Sequence, residues 1–579
     1  MTDAKKGMDE MNRREFIGSF AAVAAMPTWA GKTDEKPILK VGLITDTHIK
    51  NDKASCNRVG MAWRLFRSEG VDMVANLGDI ADHHYPKGYA GYRETVDEVW
   101  PQGPDHPREV YVFAWHDYYG YKGDMDRNTP KWQEACAEAA RLLKSPNGLY
   151  DSFELKGYPF VVMPQWADFT KYEELVAAAV AAHPDKPVFV CDHVPPFETV
   201  YNSRIWGDRR RYDILKKYPS VVDLTGHVHQ SLRIDTSVWQ GPFTVINCGC
   251  LSTWGGNLVG TAPTRKPCYN AIIMDVYPDR LELRRFDVRR DGFEICAGSR
   301  WVLPLPFKEA SAPHSPGHRS KVMPVAAFPA GASLAAKPDS IPFKRFDLSF
   351  PEAKGEGSFE YCIEIARRSE DGLWKPYARQ DIFTDFYLED FEKTGAATHS
   401  FPSGYFTEGE TIRFSVTPVN FYGKAGRPLI AEATVPKKAK DGTLVWKSDD
   451  PMKECPCMTG LQGGEPLKLS DGFYEHVKHE ARLVFPKGVW EGPAGTKFRF
   501  TIDMHMIQPG GGQWTLVLRN PTPLDNANQR IATPKGDSGR QRYVIEFTKP
   551  KAEYDYYFLV REGTPGKIRF ERVAIERLT

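Results

Sequence analysis

Between residues 38 and 305, short apolar runs alternate with amphipathic segments. ILKVGLIT (38–45), VDMVANL (71–77), VYVFAW (110–115), FVVMP (160–164), PVFVC (187–191) and VVDLTG (221–226) are mostly apolar, the pattern of strands buried on both faces. Between them, PKWQEACAEAARLLKS puts Trp132, Ala135, Ala139 and Leu142 on one helical face, with Thr129 as N-cap and Pro130 at the first helical position. Thr170 and Glu173 stand in capping-box spacing ahead of EELVAAAVAAH. Strands alternating with helices predict an α/β layered domain over 38–305, closed by the β-rich runs TVINCG, AIIMDVY and RLELRRFDV.

Residues 306–338 are rich in Pro, Ala and Ser without periodicity and read as a linker. Past them the period changes to two. Phe359, Tyr361, Ile363 and Ile365 alternate with polar neighbours, as do Ile412, Phe414 and Val416. The close VTPVNFYGKAGRPL resembles the last strands of a fibronectin type III-like sandwich over 339–436. From 437 to 579, KFRFTIDMHM and four later segments alternate again, predicting an antiparallel β-sandwich or jelly roll. Trp490, Trp514, Tyr554, Tyr556 and Tyr557 there are either sandwich core or a sugar-binding platform.

With 579 residues the chain is too long for one core, in keeping with this division. Lys+Arg (76) and Asp+Glu (75) nearly cancel, so no global field favours a nucleic acid partner or an anionic membrane. No apolar run reaches the roughly 20 residues of a membrane span. Residues 1–30 contain Arg13-Arg14, then a short apolar run ending in small residues. That arrangement looks like a twin-arginine export signal, so a periplasmic or secreted location is expected. The ten cysteines show no regular framework; the Cys248/Cys250 and Cys455/Cys457 pairs read as buried thiols or isolated disulfide partners.

The chemistry gathers where the apolar runs end, which is where open α/β sheets hold their sites. The first run delivers Asp46-Thr47-His48, the second Gly78-Asp79 and Asp82. The third delivers His116-Asp117, the fifth Asp192-His193, the sixth Gly226-His227-Val228-His229. Five strand ends each offering His or Asp exceed what surface histidines alone would give. Imidazole and carboxylate donors suit Mn, Fe or Zn. Arg209-Arg210-Arg211 reads as an exposed helix start, with a phosphate clamp as its alternative.

DTH (46–48), GDIAD (78–82), HVPP (193–196) and GHVH (226–229) resemble the calcineurin-like metallophosphoesterase superfamily over about 38–305. The resemblance implies an α-β-β-α sandwich followed here by two all-β sandwich domains. It also implies two divalent or transition metal ions. Asp46, His48, Asp79 and His229 would hold one, and Asp79, His193 and His227 the other. A metal-activated hydroxide would attack the phosphate, with His116 as the group acting on the leaving oxygen and Asp117 orienting its ring. One position departs from the pattern. Trp115 replaces an Asn that would bind the second metal, and an indole offers no lone pair. The second site is therefore expected to be weak; His83 and His84 read as solvated loop histidines, with substitute ligation as their alternative, while Trp115 either fills core or stacks on a substrate ring or sugar. The expected substrate is a small phosphate mono- or diester, or a phosphorylated glycan or lipid headgroup. The β domains would make carbohydrate or envelope contacts. The alternative is a weakened or non-catalytic member acting as a cell-envelope binding module.

Overall fold

The structure is a computed structural model. It describes residues 35–579 except 51, 84–85, 120, 122–129, 254–267, 291, 296–299, 308–311, 355–356, 385–393, 460–464, 477–480, 508–513, 521–527, 533, 535–537 and 562–565. Arg13-Arg14, Thr129 and His84 lie outside the described residues.

The first domain begins with β1 (Leu39–Ile44), α1 (Lys53–Glu69), β2 (Met73–Asn76), α2 (Pro86–Val99), β3 (Arg108–Tyr111) and α3 (Lys131–Leu143). It continues through β4 (Asp151–Leu155), β5 (Tyr158–Val162), α4 (Phe169–Ala182), β6 (Val188–Cys191), α5 (Ser203–Trp206), α6 (Arg209–Leu215) and β7 (Val221–Thr225). Six strands then close it: β8 (Val238–Gln240), β9 (Thr244–Asn247), β10 (Asn270–Val276), β11 (Arg280–Asp287), β12 (Phe293–Ile295) and β13 (Trp301–Pro304). Two sheets result, ordered β12-β11-β10-β1-β2-β3, with β13 beside β11, and β4-β5-β6-β7-β9-β8.

The sheets share one core. Leu39, Val41, Leu43, Met73 and Ala75 from one meet Phe160, Val162, Phe189, Val222 and Leu224 from the other. The outer face of the first sheet packs on Val59, Trp63, Phe66, Tyr92 and Ala139 of α1 to α3, and that of the second on Tyr172, Val176 and Ile214 of α4 and α6. This is the α-β-β-α sandwich, and it explains the unbroken apolar runs. Both faces of each central strand are covered, each buried Val or Leu contributing about 1.5–3 kcal/mol. Closeness of the helical layer is visible at Gly42, where a Cβ would lie 2.8 Å from the Phe66 ring.

β1, β2 and β3 run parallel, as do β5, β6, β7 and β9. The C-terminal ends of β1, β2, β3, β6 and β7 therefore open toward one edge of the sandwich, where the chemistry-bearing loops begin.

The chain beyond is all-β. Strands between Ala335 and Thr434 form a three-stranded and a four-stranded sheet around Phe346, Tyr361, Ile363, Phe401 and Phe414. Strands between Gly442 and Leu578 form two larger sheets around Trp490, Phe500, Trp514, Tyr556 and Phe558. Trp490, Trp514, Tyr554 and Tyr556 are buried and Tyr557 is half-buried, so these aromatics do not form the sugar platform entertained from sequence.

The linker reading also needs correction. Residues 316–322 are helical, and Arg319 Nε donates to Asp235 Oδ2 at 2.8 Å, where the Tyr422 hydroxyl also donates at 3.0 Å. This charged cluster ties the segment to both flanking domains. The capping box at Thr170 gives way to Asp168, whose carboxylate accepts from the Thr170 and Lys171 amides. One side-chain oxygen thus satisfies two free N–H groups at once.

Candidate metal centre

Sharp turns follow the strands. Asp46, His48, Asp79, His83, His227 and His229 all adopt positive φ between 40° and 71°, a conformation that costs non-glycine residues energy and gathers at functional sites. Two glycines make room for it. A Cβ on Gly78 (φ 105°) would stand 2.6 Å from His193 Nδ1. On Gly226 it would stand 1.9 Å from Thr45 Oγ1 and 2.6 Å from Asp46 Oδ2.

Asp46, His48, Asp79 and His229 come together, each offering one ligand atom within 4.8 Å of the others, and so do Asp79, His193 and His227. Asp79 belongs to both groups. The hydrogen bonds decide which atoms face inward. Asp46 Oδ2 accepts from Thr45 Oγ1 (2.7 Å) and the His227 amide (2.9 Å), while Asp46 Oδ1 is buried without a hydrogen-bond partner. His193 Nδ1 faces Leu77 O at 2.7 Å and His229 Nδ1 faces Thr253 O at 2.7 Å. Carbonyls can only accept, so both Nδ1 atoms carry a proton and both Nε2 atoms are turned toward the pocket. His229 Nε2 lies 2.9 Å from Asp46 Oδ1 and 3.0 Å from His48 Nε2; His193 Nε2 lies 3.3 Å from Asp79 Oδ2 and 3.2 Å from His227 Nδ1. Inward-facing imidazole nitrogens and a buried carboxylate oxygen without a hydrogen bond fit a pair of divalent cations sharing Asp79.

Electrostatics agree. Burial alone would raise the Asp46 carboxyl, but His229 and His193 hold it well below the usual range, and Asp79 is lowered likewise by His193 and His116. Burial disfavours charge on His48 and His193, yet the surrounding carboxylates outweigh it and push them up to about 10 and about 9. Burial and His193 push His227 down to about 3. The pocket stabilises cationic charge.

His116 stands beside this pair on the turn Trp115–Asp117, its amide donating to Asp79 Oδ1 at 2.9 Å. The carboxylate holding its ring is not Asp117 but Asp82, with Oδ1 2.9 Å from His116 Nδ1. Asp117 is fully buried and accepts from the Ile80, Ala81 and Ala114 amides and from Tyr89 Oη. It fastens the third loop to the second, and burial followed by Asp79 pushes it up to about 7. The spacing of GDIAD contained Asp82, but only the crossing of two loops reveals its partner.

Trp115 is half-buried, stacked on Tyr119 at 5.3 Å and edge-on to Trp166 at 5.4 Å, against the core of α1 to α3. Its packing is that of a core-filling aromatic. His83 is exposed and reaches Asp82 Oδ1 at 2.9 Å; it does not join the Asp79, His193 and His227 group. Arg209 and Arg210 are exposed, whereas Arg211 is buried against Asp192.

The fold and the paired carboxylate–imidazole groups define a two-metal hydrolase architecture. Residues 39–231 match the family model for calcineurin-like phosphoesterase, and this part of the chain is a calcineurin-like phosphoesterase domain, a metal-dependent phosphoester hydrolase. Comparison with curated proteins finds no match. Among solved structures, the chain is similar to a dimetal phosphatase from Danio rerio at 14% identity and TM-score 0.32, covering 46% of this chain and 99% of that one. It is similar to a purple acid phosphatase from yellow lupin (Lupinus luteus) seeds at 10% identity and TM-score 0.34, covering 46% and 53%. A third likeness, 10% identity and TM-score 0.17, is to the N-terminal CBM22-1-CBM22-2 tandem domain from Paenibacillus barcinonensis Xyn10C, covering 44% and 94%. The family match and the site geometry carry the assignment, not these low-scoring likenesses.

Proposed function

We propose that the protein is an exported phosphoesterase that hydrolyses phosphate mono- or diesters outside the cytoplasm. The observation that carries the reaction is the Asp79-sharing pair of groups, with Asp46 Oδ1 buried without a hydrogen bond and 2.9 Å from His229 Nε2. Export rests on Arg13-Arg14 and the apolar run after it.

Asp46, His48, Asp79 and His229 would hold one cation, and Asp79, His193 and His227 the other. When bound, the cations supply Lewis acidity toward phosphoryl oxygens and lower the pKa of water at the site. The chain's own residues do the rest. Leu77 and Thr253 carbonyls fix the His193 and His229 tautomers. Asp82 holds His116 through Nδ1, leaving Nε2 to deliver a proton to the leaving oxygen. Asp117 fixes the loop from which His116 projects.

The deciding experiment is metal analysis with turnover of p-nitrophenyl phosphate and its bis-ester. One to two transition metals per chain are expected, with activity abolished in Asp79→Asn. No turnover after loading with Mn, Fe or Zn would instead favour a non-catalytic envelope binding module, a reading Trp115 motivates.

A further inference from the structure

Position 115 cannot bind a metal through its side chain, yet the turn it begins is firmly held. The Trp115 amide donates to Gln165 Oε1 at 2.6 Å, and the Gln165 amide donates to Phe113 O at 2.9 Å. Gln165 follows β5 by three residues, so its side chain clamps the end of the β3 segment from the opposite sheet. The Gln165 carbonyl in turn accepts from Arg211 Nη2 at 2.7 Å. The same guanidinium grips Asp192, with Nε to Oδ2 at 2.6 Å and Nη2 to Oδ1 at 3.1 Å. Asp192 Oδ1 then accepts from the His193 amide at 2.7 Å.

One unbroken chain of hydrogen bonds thus runs from the Trp115 amide through Gln165, Arg211 and Asp192 to His193. It joins the turn bearing His116 to the strand end bearing His193. Arg211 and Asp192 are 1% and 0% exposed. A forked, charge-assisted pair at that depth holds its geometry far better than an exposed one.

We propose that Gln165 and Arg211 are positioning residues, forming a brace that supplies the anchorage a metal-binding side chain at 115 would otherwise give. The inference rests on the two-metal reading of the site. Gln165 fixes the backbone from which His116 projects. Arg211 fixes the carboxylate that aligns His193. Register between the proton donor and the second metal group is kept by protein hydrogen bonds instead of by a shared ion.

Gln165→Ala is the primary variant, since Gln165 is only half-buried while loss of Arg211 strands a buried carboxylate. Four quantities are read on the full chain: hydrogen exchange of the 113–119 amides, Mn(II) affinity by calorimetry, and kcat and KM for p-nitrophenyl phosphate. Gln165→Ala should lower protection of the Trp115 amide and cut kcat about tenfold with KM little changed, as expected for a misplaced catalytic group. Adding Trp115→Asn should restore protection and kcat, but only with Mn(II) present, because the new ligand works through the ion. Arg211→Lys keeps the charge and loses the fork; it should weaken Mn(II) binding about tenfold. Unchanged protection and kcat in Gln165→Ala would overturn the brace, and so would failure of Trp115→Asn to repair it. Should the wild type turn over no phosphoester, the two-metal enzyme reading fails instead, while exchange and Mn(II) binding still report on the brace.

Discussion

Gly226→Ala tests how the site depends on a close backbone approach. The added methyl would sit 1.9 Å from Thr45 Oγ1 and 2.6 Å from Asp46 Oδ2, against a limit near 3.0 Å for real Cβ contacts. Thr45 must move by about 1 Å or more, and its 2.7 Å bond to Asp46 Oδ2 breaks. A hydrogen bond to a charged group is worth about 1.5–3 kcal/mol, and overpacking adds about 1–3 kcal/mol. A stability loss of about 2.5–6 kcal/mol is expected by urea denaturation. Asp46 should also swing, so Mn(II) affinity by calorimetry should fall at least about tenfold, or about 1.4 kcal/mol. Gly70→Ala serves as the control. Gly70 caps α1 at φ 61° with no atom near its Cβ position, so alanine there should cost about 1–2 kcal/mol from the left-handed backbone alone. Metal affinity should not change. If Gly226→Ala lost stability but bound Mn(II) normally, the role given to Asp46 would be refuted.

Three further outcomes are expected. Asp82→Asn removes the carboxylate that holds His116 Nδ1, so kcat should drop about 100-fold at saturating Mn(II); a change under twofold would contradict the proton-donor role. Trp115→Asn in the otherwise native chain should tighten the second Mn(II) in calorimetry, and an unchanged isotherm would mean Asp79, His193 and His227 already suffice. Asp223 is fully buried with neither carboxylate oxygen hydrogen-bonded, and burial, then Asp192, raises its pKa well above 3.8. A carboxyl raised on folding stabilises below its unfolded pKa and loses that contribution as pH rises through the folded value. Each pH unit crossed costs up to about 1.4 kcal/mol. Asp223→Asn should therefore gain thermal stability over wild type increasingly from pH 5 to pH 8, and a constant difference would contradict the assignment.

The layered domain and the residues at five strand ends were legible from residue order. Continuous apolar runs have no other economical burial than a strand covered on both faces, and strand ends in parallel sheets share an edge. That logic placed Asp46, His48, Asp79, His193, His227 and His229 together before any contact was known. It could not pair side chains across loops. His116 and Asp117 are neighbours in sequence, yet the ring is held by Asp82, because the turn carries the Asp117 carboxylate under the Ile80 and Ala81 amides. Nor could it separate Arg211 from Arg209 and Arg210: three adjacent arginines look alike until the helix start turns one inward onto Asp192. Nor could it choose between core and sugar platform for the β-domain aromatics, or foresee the helix and ion pair in the Ser/Pro-rich segment, since burial and charge pairing depend on what another part of the chain brings opposite. Sequence alone determined which chemistry arrives at the sheet edge. Only the tertiary structure decided which atoms point at a metal, which hold those atoms in place, and which merely fill space, because these depend on distances of a few ångströms between residues far apart in the chain.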